Sequence, residues 1–311
     1  MASLAAIATL TCSQSARPGQ FQIATPKSGQ HWPAIRATAI DAAGANGAVT
    51  LRGALHDVTI GPVRIHNAYR AVRAASSAVL SRITIRDLDA RVGRSCIALS
   101  GDRLVIRDTQ CVMTGGPQHE RRNMPFGLHV SGGRGLIVEN SRFDKFQWAG
   151  PDDRYWNGDG VTIEQGVSGA RLRNVSANGN TDAGFDIKPP ARLDRTFASD
   201  NCRNYRFWNS IEAGTLTAGD VRKRGGVSSC AAIWIHGSDS APPRVHIASL
   251  VVRMKRPGTI MIIEDGPAQV FLDSCDISAP ARTTLVHSRH PGTRLRLGPG
   301  CAPGQWSFAE K

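Results

Sequence analysis

One phrase returns along this chain with different side chains hung on the same frame. It reads GLHVSGGRGLIVENSRF from Gly127, GVTIEQGVSGARLRNVSA from Gly160 and GFDIKPPARLDRTFASDNC from Gly184. Each copy is a glycine, a short alternating strand, a polar turn, a second short strand and a corner residue. Fainter copies begin at Cys96, Ala231 and Thr259. The starts at Gly160 and Gly184 lie 24 residues apart, and insertions lengthen other intervals. A unit this short cannot bury its own apolar face. It must stack on its neighbours, so a strand-rich period of this size predicts a solenoid.

After the second strand of each copy, one slot reads Asp87, Asp108, Asn140, Asn174, Asn201 and Ser274. Small polar side chains that tolerate left-handed backbone suit a repeated sharp corner, and stacked corners predict a ladder of them inside the coil. Together, repeat and corners make an all-β chain that resembles the right-handed parallel β-helix of the pectate lyase superfamily over residues 49–297. A solenoid grows without splitting its core, so 311 residues are read as one domain over 49–311, with a cap over 16–48. No apolar run approaches a membrane span, and a monomer is expected.

Residues 1–15 carry an apolar run and a small-x-small site, the outline of a secretory signal, although no Lys or Arg precedes the run. Removing Cys12 leaves six cysteines, an even set that suits export to the periplasm or beyond. Cys96 and Cys111, Cys202 and Cys230, and Cys275 and Cys301 are neighbours in sequence, but sequence leaves their pairing open.

Basic residues outnumber acidic ones by 38 to 25, a net charge of +13. Of the 38, 32 are Arg. Such a surface attracts polyanions, and the planar guanidinium suits carboxylate, sulfate or phosphate. No helix-turn-helix, zinc finger or RNP-like aromatic pair accompanies the charge, so nucleic acid rests on charge alone. An acidic polysaccharide is the expected partner. Nucleophile elbow, phosphate loop, dinucleotide fingerprint and C-x-x-C pair are all missing, which disfavours nucleotide and redox chemistry.

Strand alternation sends Thr162, Glu164, Asp186 and Lys188 out of the coil. Aligning the copies predicts one exposed column of Ala98, His129, Thr162, Asp186, Trp208 and Trp234, beside a second of Ser100, Ser131, Glu164, Lys188, Ser210 and His236, a floor for a saccharide groove in which Trp208, Trp234 and His236 would meet the sugar. Stacked turns lie about 4.8 Å apart, so Asp159, Asp182 and Asp186 on adjacent turns are expected to converge. Three carboxylates that close call for a hard cation such as Ca²⁺, or for Lys188 as counter-ion. The long segments 114–126 and 145–156 are expected to wall a groove. There Trp148, Tyr155 and Trp156 would offer flat faces to sugars, and Arg121, Arg122 and Arg154 charges to acidic groups. His129 and His236 are candidate acid–base groups near neutral pH, or else packing residues.

NGDGV followed by NTDAGFD is similar to the calcium-binding pattern of family 9 pectate lyases. That resemblance implies Asp159, Asp182 and Asp186 as metal ligands, with Ala183 standing where the family has a further Asp. It also implies β-elimination on a uronate polymer, with a lysine one coil on as base. The coil in question reads Tyr205-Arg206-Phe207-Trp208-Asn209, so Arg206 or Lys188 would have to serve. Two alternatives stay open. One is a glycoside hydrolase of the polygalacturonase-like β-helix type, using the same aspartates. The other is a non-catalytic β-helix that binds polysaccharide.

Overall fold

The computed structural model describes residues 40–42, 47–117, 124–149, 157–222, 229–288 and 290–301. The expected signal segment, most of the expected cap, and Arg121, Arg122, Arg154, Tyr155 and Trp156 lie outside the described residues. Within them the chain forms strands and no helix. Nearly all the strands join one wrapped sheet, in which each strand pairs in parallel with its counterpart one turn on. This is the all-β parallel β-helix that the repeat predicts. Pairing begins at Ile40–Asp41, which lies against Ile65 and His66.

One face carries Leu88–Leu99, Phe126–Val130, Asp159–Ile163, Ala183–Ile187, Arg203–Phe207, Ala231–His236 and Thr259–Glu264 in succession. Inside it runs an apolar column of Ile97, Leu128, Val161, Phe185, Tyr205, Ile233 and Met261, each opposite the next. All seven have lost their contact with water. Each such side chain contributes on the order of 1.5–3 kcal/mol relative to exposure. Phe185 and Tyr205 stack with ring centroids 5.2 Å apart. The Tyr205 hydroxyl donates to the Thr217 carbonyl at 3.0 Å, which satisfies a polar group in the core.

The repeat's glycine is a spacing device. A Cβ on Gly184 would sit 2.6 Å from the Asn204 carbonyl of the next turn, and one on Gly160 2.6 Å from the Ala177 Cβ.

The corners hold two ladders rather than one. Asp87, Asp108, Asn140 and Asn174 have left-handed backbone. Asn174 donates to Asn140 at 2.9 Å and Asn140 to Asp108 at 3.1 Å. This ladder is on the outside of the coil, not within it. Its next member is Arg195, also left-handed, rather than Asn201. Asn201 belongs to a second, buried ladder, in which its Oδ1 accepts from the Asn180 backbone N–H at 2.8 Å and its Nδ2 donates to the Ala177 carbonyl at 2.9 Å. Both corners need polar, turn-tolerant residues, so composition alone merged them. Cys96–Cys111, Cys202–Cys230 and Cys275–Cys301 form disulfides.

Candidate acid–base cleft on one face of the coil

Rung-to-rung register builds the site. Ala98, His129, Thr162, Asp186, Arg206 and Trp234 stand opposite one another in turn. Arg206, not Trp208, therefore follows Asp186. Trp208 takes the place expected for Ser210 in the neighbouring column, beside Lys188 and His236. The expected alignment slipped by two residues on this turn, because Asn204 replaces the glycine that marks the start of the repeat. Strand alternation has a period of two, so such a slip leaves every side chain on its predicted face.

The three aspartates are near enough for their charges to act on one another, and each is almost wholly buried. Thr162, in register with His129, donates to Asp159 at 3.1 Å, and the Ala183 backbone N–H donates to the same carboxyl at 2.8 Å. Asp182 accepts from Arg203 and, at 3.1 Å, from Arg206. Asp186 accepts from the Trp208 indole at 2.6 Å, with Arg206 at 3.8 Å and Lys188 at 3.9 Å. Sequence reasoning missed Arg203, although an arginine pair three residues apart, one turn beyond a carboxylate, is a legible sign of charge balance. Burial first, and then the charges of Asp182 and Asp186, push the Asp159 carboxyl well above the ordinary carboxylate range. Burial also raises Asp186, against the opposing pull of Arg206, Lys188 and the Trp208 hydrogen bond.

A calcium ion needs six to eight oxygen ligands turned toward it, with little positive charge beside them. Here guanidiniums occupy both oxygens of Asp182, an indole N–H holds Asp186, and a backbone N–H from the ligand-less Ala183 holds Asp159. Among the described residues, no group of three His, Cys, Asp or Glu is disposed to hold a metal. This donor set does not fit calcium. Arg203 and Arg206 supply the balancing positive charge.

Beside the aspartates opens a cleft of about 270 Å³, lined by His129, Asp159, Asp186, Glu164, Lys188 and Arg94 among others. Lys188 Nζ lies 2.7 and 2.8 Å from the two Glu164 oxygens, so it is a counter-ion rather than a free base. Burial pushes the Glu164 carboxyl up, but the Lys188 hydrogen bond and charge outweigh it and leave the group below its usual value. His129 Nε2 lies 3.5 Å from Glu164. Burial lowers the His129 imidazole below its usual value even so, which favours the neutral ring.

Two of the expected sugar platforms are closed. Trp148 is 2 % exposed and Trp234 3 % exposed, so neither offers an open face. Trp148 packs beneath the turn holding Thr181, whose Oγ1 accepts from its backbone N–H at 2.8 Å. The Trp234 indole donates to Glu264 at 2.9 Å and packs against Trp208 at 5.3 Å between centroids. Trp208 is half-buried, with the Arg206 guanidinium 4.5 Å over its ring and His236 4.8 Å away. Among the described tryptophans expected to meet sugar, Trp208 is thus the one left partly open, beside His236.

No protein-family model matches the chain, and no curated protein matches it. Among solved structures it is similar to the DFA-IIIase of Arthrobacter chlorophenolicus A6, crystallised without its lid. The TM-score is 0.44 and the identity 11%, over 82% of this chain and 69% of that one.

Proposed function

We propose that this protein cleaves an acidic, uronate-containing polysaccharide by β-elimination in the cleft between His129 and Asp159. The observation that carries this reading is that an imidazole and a carboxyl group on neighbouring rungs line one cleft, with Thr162, opposite His129 in register, donating to the carboxyl. Their protonation states support it. A neutral imidazole accepts a proton at neutral pH, and a carboxyl raised by burial keeps one to give.

His129 removes the C5 proton of a uronate, and the electron pair forms the C4–C5 double bond. The C4–oxygen bond breaks, and the leaving oxygen takes the proton of Asp159. On this reading Arg94 and Lys188, the latter shared with Glu164, mask the uronate carboxylate, whose charge must be neutralised before the C5 proton becomes acidic. Trp208 and His236 offer the adjoining sugar a flat surface. The net charge of +13 favours encounter with an anionic polymer. Three disulfides support action outside the cytoplasm.

The test is incubation with a panel of uronate polymers while following absorbance of the unsaturated product. Wild-type protein is expected to produce it on at least one polymer. His129→Ala is expected to lose about 10²- to 10⁴-fold in rate. Product formation unchanged in His129→Ala sinks the assignment of the base.

One observation favours a second reading. Asp159 and Asp186 line the same cleft, Asp159 with the more strongly raised carboxyl and Asp186 drawn back toward its ionised form by Arg206 and Lys188, and an acid beside a carboxylate is what glycoside hydrolysis uses. New reducing ends without the unsaturated chromophore select hydrolysis over elimination.

A further inference from the structure

A second cleft, of about 600 Å³, opens on the adjoining face of the coil. Arg171, Arg192 and Arg244 line it with Glu212, Pro190 and Ser210. Arg171 and Arg192 stand directly opposite each other on neighbouring parallel strands. Both are exposed, and neither has an ion-pair partner among the described residues. Like charges facing each other across two strands are destabilising, and the Glu212 that faces Arg192 on its other side forms no ion pair with it. The neighbouring column shows the usual remedy, since Asp194 sits 3.9 Å from Arg173 and 3.3 Å from Arg195.

The one carboxylate in the cleft is engaged elsewhere. Glu212 lies 2.7 Å from His246 Nδ1, and His246 Nε2 lies 2.8 Å from Asp273. These hydrogen bonds raise the His246 imidazole above its usual value, that from Asp273 most, and so favour the cation that holds Glu212 away from the arginines. Arg244 rests over the Phe271 ring at 4.8 Å, which leaves its N–H edges available. The cleft thus presents three guanidiniums, none of them in an ion pair with a carboxylate among the described residues, although Glu212 faces Arg192 across the strands. It also lies round one corner from the acid–base cleft, for Lys188 lines the first and Pro190, two residues on, lines the second.

We propose that this arginine cleft is a separate anchoring site for an acidic polysaccharide, with carboxylate or sulfate oxygens bridging Arg171 and Arg192. Rungs repeat at about 4.8 Å, a distance comparable to one sugar unit, so adjacent arginines meet adjacent acidic units. The choice of a polysaccharide over other polyanions rests on the cleavage reading, whereas the anion site itself does not.

The test is affinity electrophoresis of the full chain in gels containing polygalacturonate, heparin, neutral dextran or a single-stranded DNA oligonucleotide. Wild type is expected to be retarded by at least one of the two acidic polysaccharides, less so as salt rises, and not by dextran. Arg171→Gln with Arg192→Gln is expected to weaken that binding by about tenfold or more, since it removes two charge-assisted contacts. The double variant should also melt no lower than wild type, because it relieves a like-charge pair. Asp159→Asn should bind as wild type does.

Equal retardation of wild type and double variant overturns the proposal, as does no retardation of wild type by either acidic polysaccharide. A melting point lowered by several degrees along with binding assigns these arginines a structural role and also overturns it. Arginine-dependent binding to the oligonucleotide in preference to both polysaccharides overturns the assigned partner. Arginine-dependent retardation in a protein that forms no unsaturated product leaves the anchoring site standing and removes the cleavage reading.

Discussion

Burial drives two opposite protonation changes at this site, raising the Asp159 carboxyl and lowering the His129 imidazole, because in each case the charged form is the one that loses its water. Their stability contributions therefore run in opposite directions with pH. Asp159 has a folded value above its unfolded 3.8, so its contribution is present below that and is lost as pH rises through the folded value. His129 has a folded value below its unfolded 6.5, so its contribution is present above 6.5 and is lost as pH falls through the folded value. Asp159→Asn is accordingly expected to flatten the alkaline fall of melting temperature while leaving the acid fall, which a pH series of thermal melts will show. If elimination needs neutral imidazole and protonated carboxyl together, the rate follows a bell whose alkaline limb disappears along with most of the activity in Asp159→Asn. At Asp182 the argument is one of charge pairing. Arg203→Met leaves a buried carboxylate with one partner fewer, and a loss of about 3 kcal/mol is expected in denaturant unfolding. Since guanidiniums hold the carboxylate oxygens, a chelator is expected to leave activity unchanged. Loss of activity in chelator, restored by calcium, contradicts that arrangement. The convergence of Asp159, Asp182 and Asp186 was legible in the spacing of two turn motifs. Their protonation and partners were not, because both depend on what the next turn places above them.

The central turns of the coil rest on close approaches at Gly160 and Gly184 and on the buried hydrogen bonds of Asn201. At Gly184 the next turn's carbonyl leaves no room for a methyl group, so Gly184→Ala is expected to cost on the order of 1–3 kcal/mol through forced backbone movement. Asn201→Ala leaves the Asn180 N–H and the Ala177 carbonyl without their partner in the core, and a similar loss of about 1–3 kcal/mol is expected. Equilibrium urea unfolding measures both. Asn140→Ala, on the outer ladder, loses two exposed hydrogen bonds and adds a modest left-handed strain, and should cost less. The repeat showed where the corners fall, since glycine and Asn or Asp recur at fixed offsets. It did not separate the inner ladder from the outer, because the same residue types suit both.

A solenoid of this kind is held by nearest-neighbour contacts along its length, so its ends open more easily than its middle. Cys275–Cys301 ties the last described turns together across 26 residues of chain. The loop-entropy relation gives about 3.5 kcal/mol for a bridge of that span. Reduction and alkylation are therefore expected to lower the melting temperature and to broaden or split the calorimetric transition. A single sharp transition at an unchanged temperature contradicts this view of the C-terminal turns. The two clefts, one of acid–base groups and one of arginines, lie on neighbouring faces at the same level of the coil. Their closeness follows from the fold, which brings a residue back to the same height each turn.

The sequence by itself determined that the chain coils, and it showed which side chains leave the coil at each strand, because glycine spacing and two-residue alternation are local and survive any stacking. Only the tertiary structure decided that Arg206 rather than Trp208 stands over Asp186, that Trp148 and Trp234 are closed off, and that arginines rather than oxygens complete the aspartate cluster. A shift of two residues on a single turn leaves alternation intact, so the register, and with it the burial that sets each proton, is fixed by the turns above and below.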